Sequence, residues 1–125
     1  MKQVLHIFFC MAAYFLLTTG ALAADKAAIK KNVDAMVAAI NNGKVATSYA
    51  ADTYTPYAFV MDPSGKLIVH PHLAGEYLQE KAAPVYSALQ KATTEGIWVS
   101  YFWKGTQKET YVRRTKSNLT VGSGN

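Results

Sequence analysis

The stretch Tyr57-Ala58-Phe59-Val60-Met61-Asp62-Pro63-Ser64-Gly65-Lys66-Leu67-Ile68-Val69-His70-Pro71 decides how the rest of the chain is read. Two runs of β-branched and aromatic residues flank Asp-Pro-Ser-Gly, in which proline presets φ for a turn and glycine supplies the freedom to close it. The stretch therefore predicts a β-hairpin, and Pro71, which has no N–H for a ladder, ends its second strand.

Upstream of the hairpin the period changes. Ile29, Val33, Met36, Val37 and Ile40 recur at spacings of three and four, so 25–42 predicts an amphipathic helix. Asn41-Asn42-Gly43 is its stop signal. The segment 44–56 is open between a short helix and a loop. Further upstream, Lys2 precedes an apolar run from Val4 to Leu17, and Ala21-Leu22-Ala23 supplies the small residues of a peptidase site. A cleaved secretory leader over 1–23 is expected in preference to an anchor, which needs a longer unbroken apolar run. Cys10, the chain's one cysteine, falls inside that leader. The remaining domain, 24–125, is thus expected outside the cytoplasm, periplasmic or secreted, without disulfides, thiolate metal sites or c-type haem.

Downstream, Lys81 to Glu95 predicts a second helix, with Pro84 in its first turn and Val85, Ala88, Leu89 and Ala92 as its stripe. Ile97–Trp103 predicts a third strand, Lys104–Gln107 a turn, Glu109–Arg114 a fourth strand and Leu119–Val121 a short last one, followed by a polar tail. Short turns make neighbouring strands antiparallel. The expected fold class is α+β: a single antiparallel sheet with a long N-terminal helix and a second helix packed against it.

With 13 Lys and Arg against 8 Asp and Glu, the formal net charge is +5. That is too mild, and too free of binding motifs, to indicate nucleic acid. There is no Gly-rich phosphate loop, nucleophile elbow or Cys/His cluster, and no paired carboxylates, so neither an enzyme nor a cofactor is expected. His70 and His72 could share a metal, but Pro71 stands between them and no third ligand is evident, so no metal is expected either. On the third strand, alternation puts Ile97, Val99, Tyr101 and Trp103 on one face and Trp98, Ser100 and Phe102 on the other. Tyr111 and Arg113 share a face of the next strand. Aromatics with polar tips beside Arg, Lys and His suit a small anionic ligand, while the same aromatics would also serve as core.

Taken in order, five pieces resemble the Cache domains, extracytoplasmic sensor modules of PAS-like fold. They are the hairpin with its His70-Pro71, Gly75 soon after, Gly96-Ile97-Trp98-Val99-Ser100-Tyr101-Phe102-Trp103, Lys108-Glu109-Thr110-Tyr111-Val112, and the closing Leu119-Thr120-Val121-Gly122-Ser123-Gly124. The single-Cache subgroup is the nearest pattern. The resemblance implies a sensor that binds a small organic acid, such as a short-chain carboxylate, against the sheet. Tyr57, His70, Tyr101, Trp103 and Lys108 are its pocket candidates, with Tyr111 and Arg113 added on chemistry and alternation. It also implies a homodimer through the N-terminal helix. Family members usually sit between two membrane-spanning helices. With no second such segment in the sequence, the expectation is a stand-alone domain that passes its state to a membrane receptor or histidine kinase. The alternative is a ligand-free interaction module acting on such a partner.

Overall fold

The computed structural model describes residues 25–124; the expected leader, 1–23, lies outside them. The first helix, α1, spans 25–41. Its five-residue stripe is the inward face: Ile29, Val33, Met36 and Val37 are at most 1% exposed, and Ile40 is 9% exposed. Each such side chain removed from water contributes about 1.5–3 kcal/mol. The sheet takes up the whole stripe, so any pairing of two copies through α1 would use its other faces. Gly43, at φ +107°, ends the helix. Its N–H reaches the Ile40 carbonyl and the Lys44 N–H reaches that of Ala39, both at 3.0 Å, the paired closure that a left-handed residue after the last turn permits.

The undecided segment 44–56 holds one 3₁₀ turn, Ala46–Ser48, and then irregular chain whose Tyr49, Ala51 and Tyr54 lean on the α1 core. The hairpin is present as β1 (Ala58–Met61) and β2 (Leu67–Val69). Asp62 holds the turn: its Oδ1 accepts from the Ser64 N–H at 2.9 Å, the Ser64 hydroxyl at 2.6 Å and the Lys66 N–H at 3.1 Å. Gly65, at φ +91°, leaves the space that the Gln79 side chain occupies. Gln79 Nε2 donates to the Ser64 carbonyl at 2.8 Å, which seats the next helix on the hairpin turn.

The second predicted helix is present over part of its span, and a short helix that was not predicted precedes it. α2 covers Leu78–Lys81 and α3 covers Ala83–Leu89, with Ala82 between them at φ −156°, ψ 71°. The proline ring would collide with the carbonyl four residues back, so a continuous helix cannot pass Pro84. The stripe is as predicted, with Ala88, Leu89 and Ala92 buried, but 90–95 is non-helical.

β3 (Ile97–Trp103) matches its predicted bounds. β4 (Thr106–Arg114) begins earlier than predicted, because the turn is only Lys104-Gly105. Both residues have positive φ, +51° and +77°, the two-residue turn whose twist suits a hairpin. β5 runs Thr120–Gly124, so Gly122-Ser123-Gly124 is strand rather than polar tail. The strand order is β2-β1-β5-β4-β3, antiparallel throughout. β5 is therefore central. Its glycines are sites of close approach: a Cβ on Gly122 would stand 2.5 Å from the Phe59 ring, and one on Gly124 would stand 2.2 Å from the Glu109 carbonyl.

Alternate residues face two separate cores. Ala58, Val60, Tyr111 and Val121 pack with α1. Phe59, Met61, Val99 and Val112 pack with α2 and α3. The protein is thus α+β with one five-stranded antiparallel sheet carrying helices on both faces, a PAS-like arrangement.

Candidate functional site

The end of β2 presents a polar side chain held by the backbone that follows it. Pro71 cannot donate, and the chain turns sharply after His70. The His72 N–H (3.1 Å) and the Leu73 N–H (3.0 Å) both donate to His70 Nδ1. A nitrogen accepting two N–H groups carries no proton, so the imidazole proton sits on Nε2 and the ring is a neutral donor. Burial, and then the neighbouring His72, push the His70 pKa below its ordinary value. The Tyr57 ring stands edge-on to it, centroids 5.1 Å apart. Burial and then the Tyr101 phenol raise the Tyr57 pKa, so the Tyr57 hydroxyl stays protonated at neutral pH.

Tyr101 lies on the α2–α3 face of β3, with Trp103 two residues on; both are half-buried beside that core. In the β3–β4 register Tyr101 stands directly opposite Lys108, so the strand pairing sets an ammonium stem beside a phenol. The Tyr101 hydroxyl shares a 2.8 Å hydrogen bond with Thr110 Oγ1. Thr110, 3% exposed, was not among the sequence candidates. Alternation with Lys108 and Val112 places it on this face, and that was the available signal. Lys104 Nζ lies 5.6 Å from the Trp103 ring centroid, adding a second cation at this end of the sheet.

Five of the seven candidates, Tyr57, His70, Tyr101, Trp103 and Lys108, are thus carried by the α2–α3 side of the sheet. Tyr111 and Arg113 are not. They lie on the opposite face, against α1. The Tyr111 hydroxyl reaches Asp34 Oδ1 at 3.1 Å and the Glu95 carbonyl at 3.2 Å, while Arg113 Nη1 donates to the same Asp34 oxygen at 3.1 Å. Arg113 Nε and Nη2 both donate to the Thr94 carbonyl. Lys30 Nζ holds the second Asp34 oxygen at 2.8 Å. Burial raises the Asp34 pKa, but the hydrogen bonds from Lys30, Arg113 and Tyr111 outweigh it and hold the carboxyl below its ordinary range. Every polar group of this cluster is engaged within the fold, so Tyr111 and Arg113 fasten α1 and the 93–96 segment to the sheet. The alternation that put these two residues on one face was correct; which face that was depended on where α1 lay.

Among the described residues no three or more His, Cys, Asp or Glu side chains gather where they could hold a metal ion. The His70 and His72 ring centroids are 6.4 Å apart, and His70 Nδ1 is taken up by backbone. No helix among the described residues is long and apolar enough to cross a membrane.

No family model matches the chain, and no curated protein does. Among solved structures, the crystal structure of a methyl-accepting chemotaxis protein from Vibrio parahaemolyticus RIMD 2210633 is similar. It is 20% identical over 85% of this chain and 92% of that one, with a TM-score of 0.47.

Proposed function

We propose that this chain is an exported, Cache-like sensor domain that binds a small carboxylate on the α2–α3 side of its sheet and reports it to a membrane receptor or kinase. The observation that carries the reading is that Tyr57, His70, Tyr101, Trp103 and Lys108 share that side, with Tyr57 beside His70 and Tyr101 opposite Lys108. The neutral His70 Nε2–H, the phenols and the Lys108 ammonium are donors without a fixed anionic partner among the described residues. Half-buried rings beside them limit water, which strengthens a charge-assisted hydrogen bond to a carboxylate. Among the described residues no nucleophile–base pair accompanies them, and we read the site as one for binding.

The test is a thermal-shift screen of the purified protein against short organic acids, amino acids and purines. A ligand that binds only the folded state at a hundredfold excess over Kd stabilises it by about 2.7 kcal/mol. A shift with one carboxylate, lost in Lys108→Ala and Tyr101→Phe, is the expected result. A flat response across the panel from a folded sample would overturn the carboxylate reading in favour of the ligand-free interaction module.

A further inference from the structure

β3 is an edge strand: in the order β2-β1-β5-β4-β3 it pairs with β4 alone. Edge strands in natural proteins are commonly guarded by charges, proline or bulges, because their free N–H and C=O groups invite another strand. β3 has none of these. Ile97-Trp98-Val99-Ser100-Tyr101-Phe102-Trp103 carries no charge and no proline, and its register with β4 is unbroken over all seven residues. Phe102 is 68% exposed and Ile97 is 38% exposed.

The two-residue turn fixes which backbone groups point outward. Trp103 and Thr106 close it as a hydrogen-bonded pair, so Trp103, Tyr101, Val99 and Ile97 bond to β4, and Trp98, Ser100 and Phe102 present their N–H and C=O to the open edge.

We infer that β3 is a self-association edge, pairing antiparallel with β3 of a second copy about a two-fold axis at Ser100, to make one continuous ten-stranded sheet. Three features select a second copy as the occupant. Centred on Ser100, the pairing sets Trp98 of one copy opposite Phe102 of the other, and Ile97 opposite Trp103. Both exposed apolar side chains of the strand thereby gain an aromatic neighbour, the kind of cross-strand pair that stabilises sheets. No like charges meet, because the strand has none. At each end, Lys104 of one copy comes beside Gly96 and the exposed Glu95 of the other, so the flanking charges are complementary. The two-fold satisfies the outward groups of Trp98, Ser100 and Phe102 on both copies at once, as an isologous interface requires. This inference stands apart from the ligand reading, since none of its tests involves a ligand.

The test is the oligomeric state of the purified protein by sedimentation equilibrium, with two variants and a cross-link. Wild type is expected to be a dimer. Ser100→Pro removes an N–H that faces away from β4 and places its ring on the open edge, where proline is tolerated; it is expected to be a monomer with its thermal transition retained. Phe102→Thr, which touches no core, is expected to weaken the dimer about tenfold or more, and it keeps the test decisive if the proline variant does not fold. Ser100→Cys is expected to yield a disulfide-linked dimer on oxidation, because facing residues in a hydrogen-bonded pair lie about 5.5 Å apart at Cα, within bridging range. Phe102→Cys, which faces Trp98 instead, is not. A monomeric wild type, or a dimer indifferent to both Ser100→Pro and Phe102→Thr, would overturn the inference. Equal cross-linking through both cysteines would overturn its register.

Discussion

Arg113 on β4 donates to the Asp34 carboxylate of α1 at 3.1 Å, across 79 residues of sequence. Through the Thr94 carbonyl the same guanidinium also holds the segment entering β3. One side chain thus links the N-terminal helix, the middle of the sheet and the β3 entry, on the face opposite the candidate site.

Removing Asp34 should therefore loosen the fold without touching ligand binding. Asp34→Asn keeps the shape but leaves a partly buried guanidinium short of its anion. Since the pair is about a quarter exposed, solvent screening keeps the expected loss to about 1–2 kcal/mol. In a domain of this size that lowers Tm by roughly 4–16 °C. Calorimetry of Asp34→Asn, Arg113→Ala and the double variant checks it; additive single effects would mean the two groups do not interact.

The Asp34 carboxyl titrates below its ordinary value in the folded state. Its contribution is present at neutral pH and is lost as pH falls below about 4, where the unfolded chain takes up the proton first and the folded carboxyl follows. His70 acts in a higher window. Its pKa is lowered by burial and by His72, so between pH 7 and 5 the unfolded chain binds more protons than the folded one and stability falls with pH. Protonating Nδ1 would also displace the two backbone N–H groups of His72 and Leu73. Urea denaturation at pH 7, 6 and 5 is expected to show this decline in wild type and a flatter profile in His70→Asn, whose carbonyl can accept the same bonds.

Gly96→Ala should be among the most damaging single substitutions. Gly96 sits at φ +102°, and an added Cβ would meet the Tyr111 hydroxyl at 1.9 Å. Strain and overlap together are expected to cost about 2–3 kcal/mol. A double variant with Tyr111→Ala removes the overlap but keeps the φ penalty. Recovery of part of the loss on the Gly96→Ala background, measured against Tyr111→Ala alone, separates the two.

For the site, variants on opposite sheet faces should behave differently. Lys108→Ala is expected to abolish a carboxylate-induced thermal shift while changing the unliganded Tm little, since its side chain lies at the partly exposed margin of the sheet. Tyr111→Phe is expected to lower Tm and leave the shift intact, because its hydroxyl serves Asp34 and Glu95. Loss of the shift in Tyr111→Phe would place the ligand on the α1 side.

The sequence by itself determined the elements whose signal is local. The α1 stripe, the Asp-Pro-Ser-Gly hairpin and the alternation of β3 each follow from a period or a turn chemistry that a few neighbouring residues specify. The start of α3 was legible too, in Pro84, which a helix accepts in its first turn. What only tertiary structure decided depends on distant partners. Gly122-Ser123-Gly124 reads as a tail until Phe59 is laid over it and β1 and β4 flank it. Tyr111 and Arg113 read as ligand donors until Asp34 arrives from α1, because alternation fixes which residues share a face of a strand but not which helix covers that face. Likewise, the His70 tautomer rests on two backbone N–H groups whose position no side-chain pattern encodes.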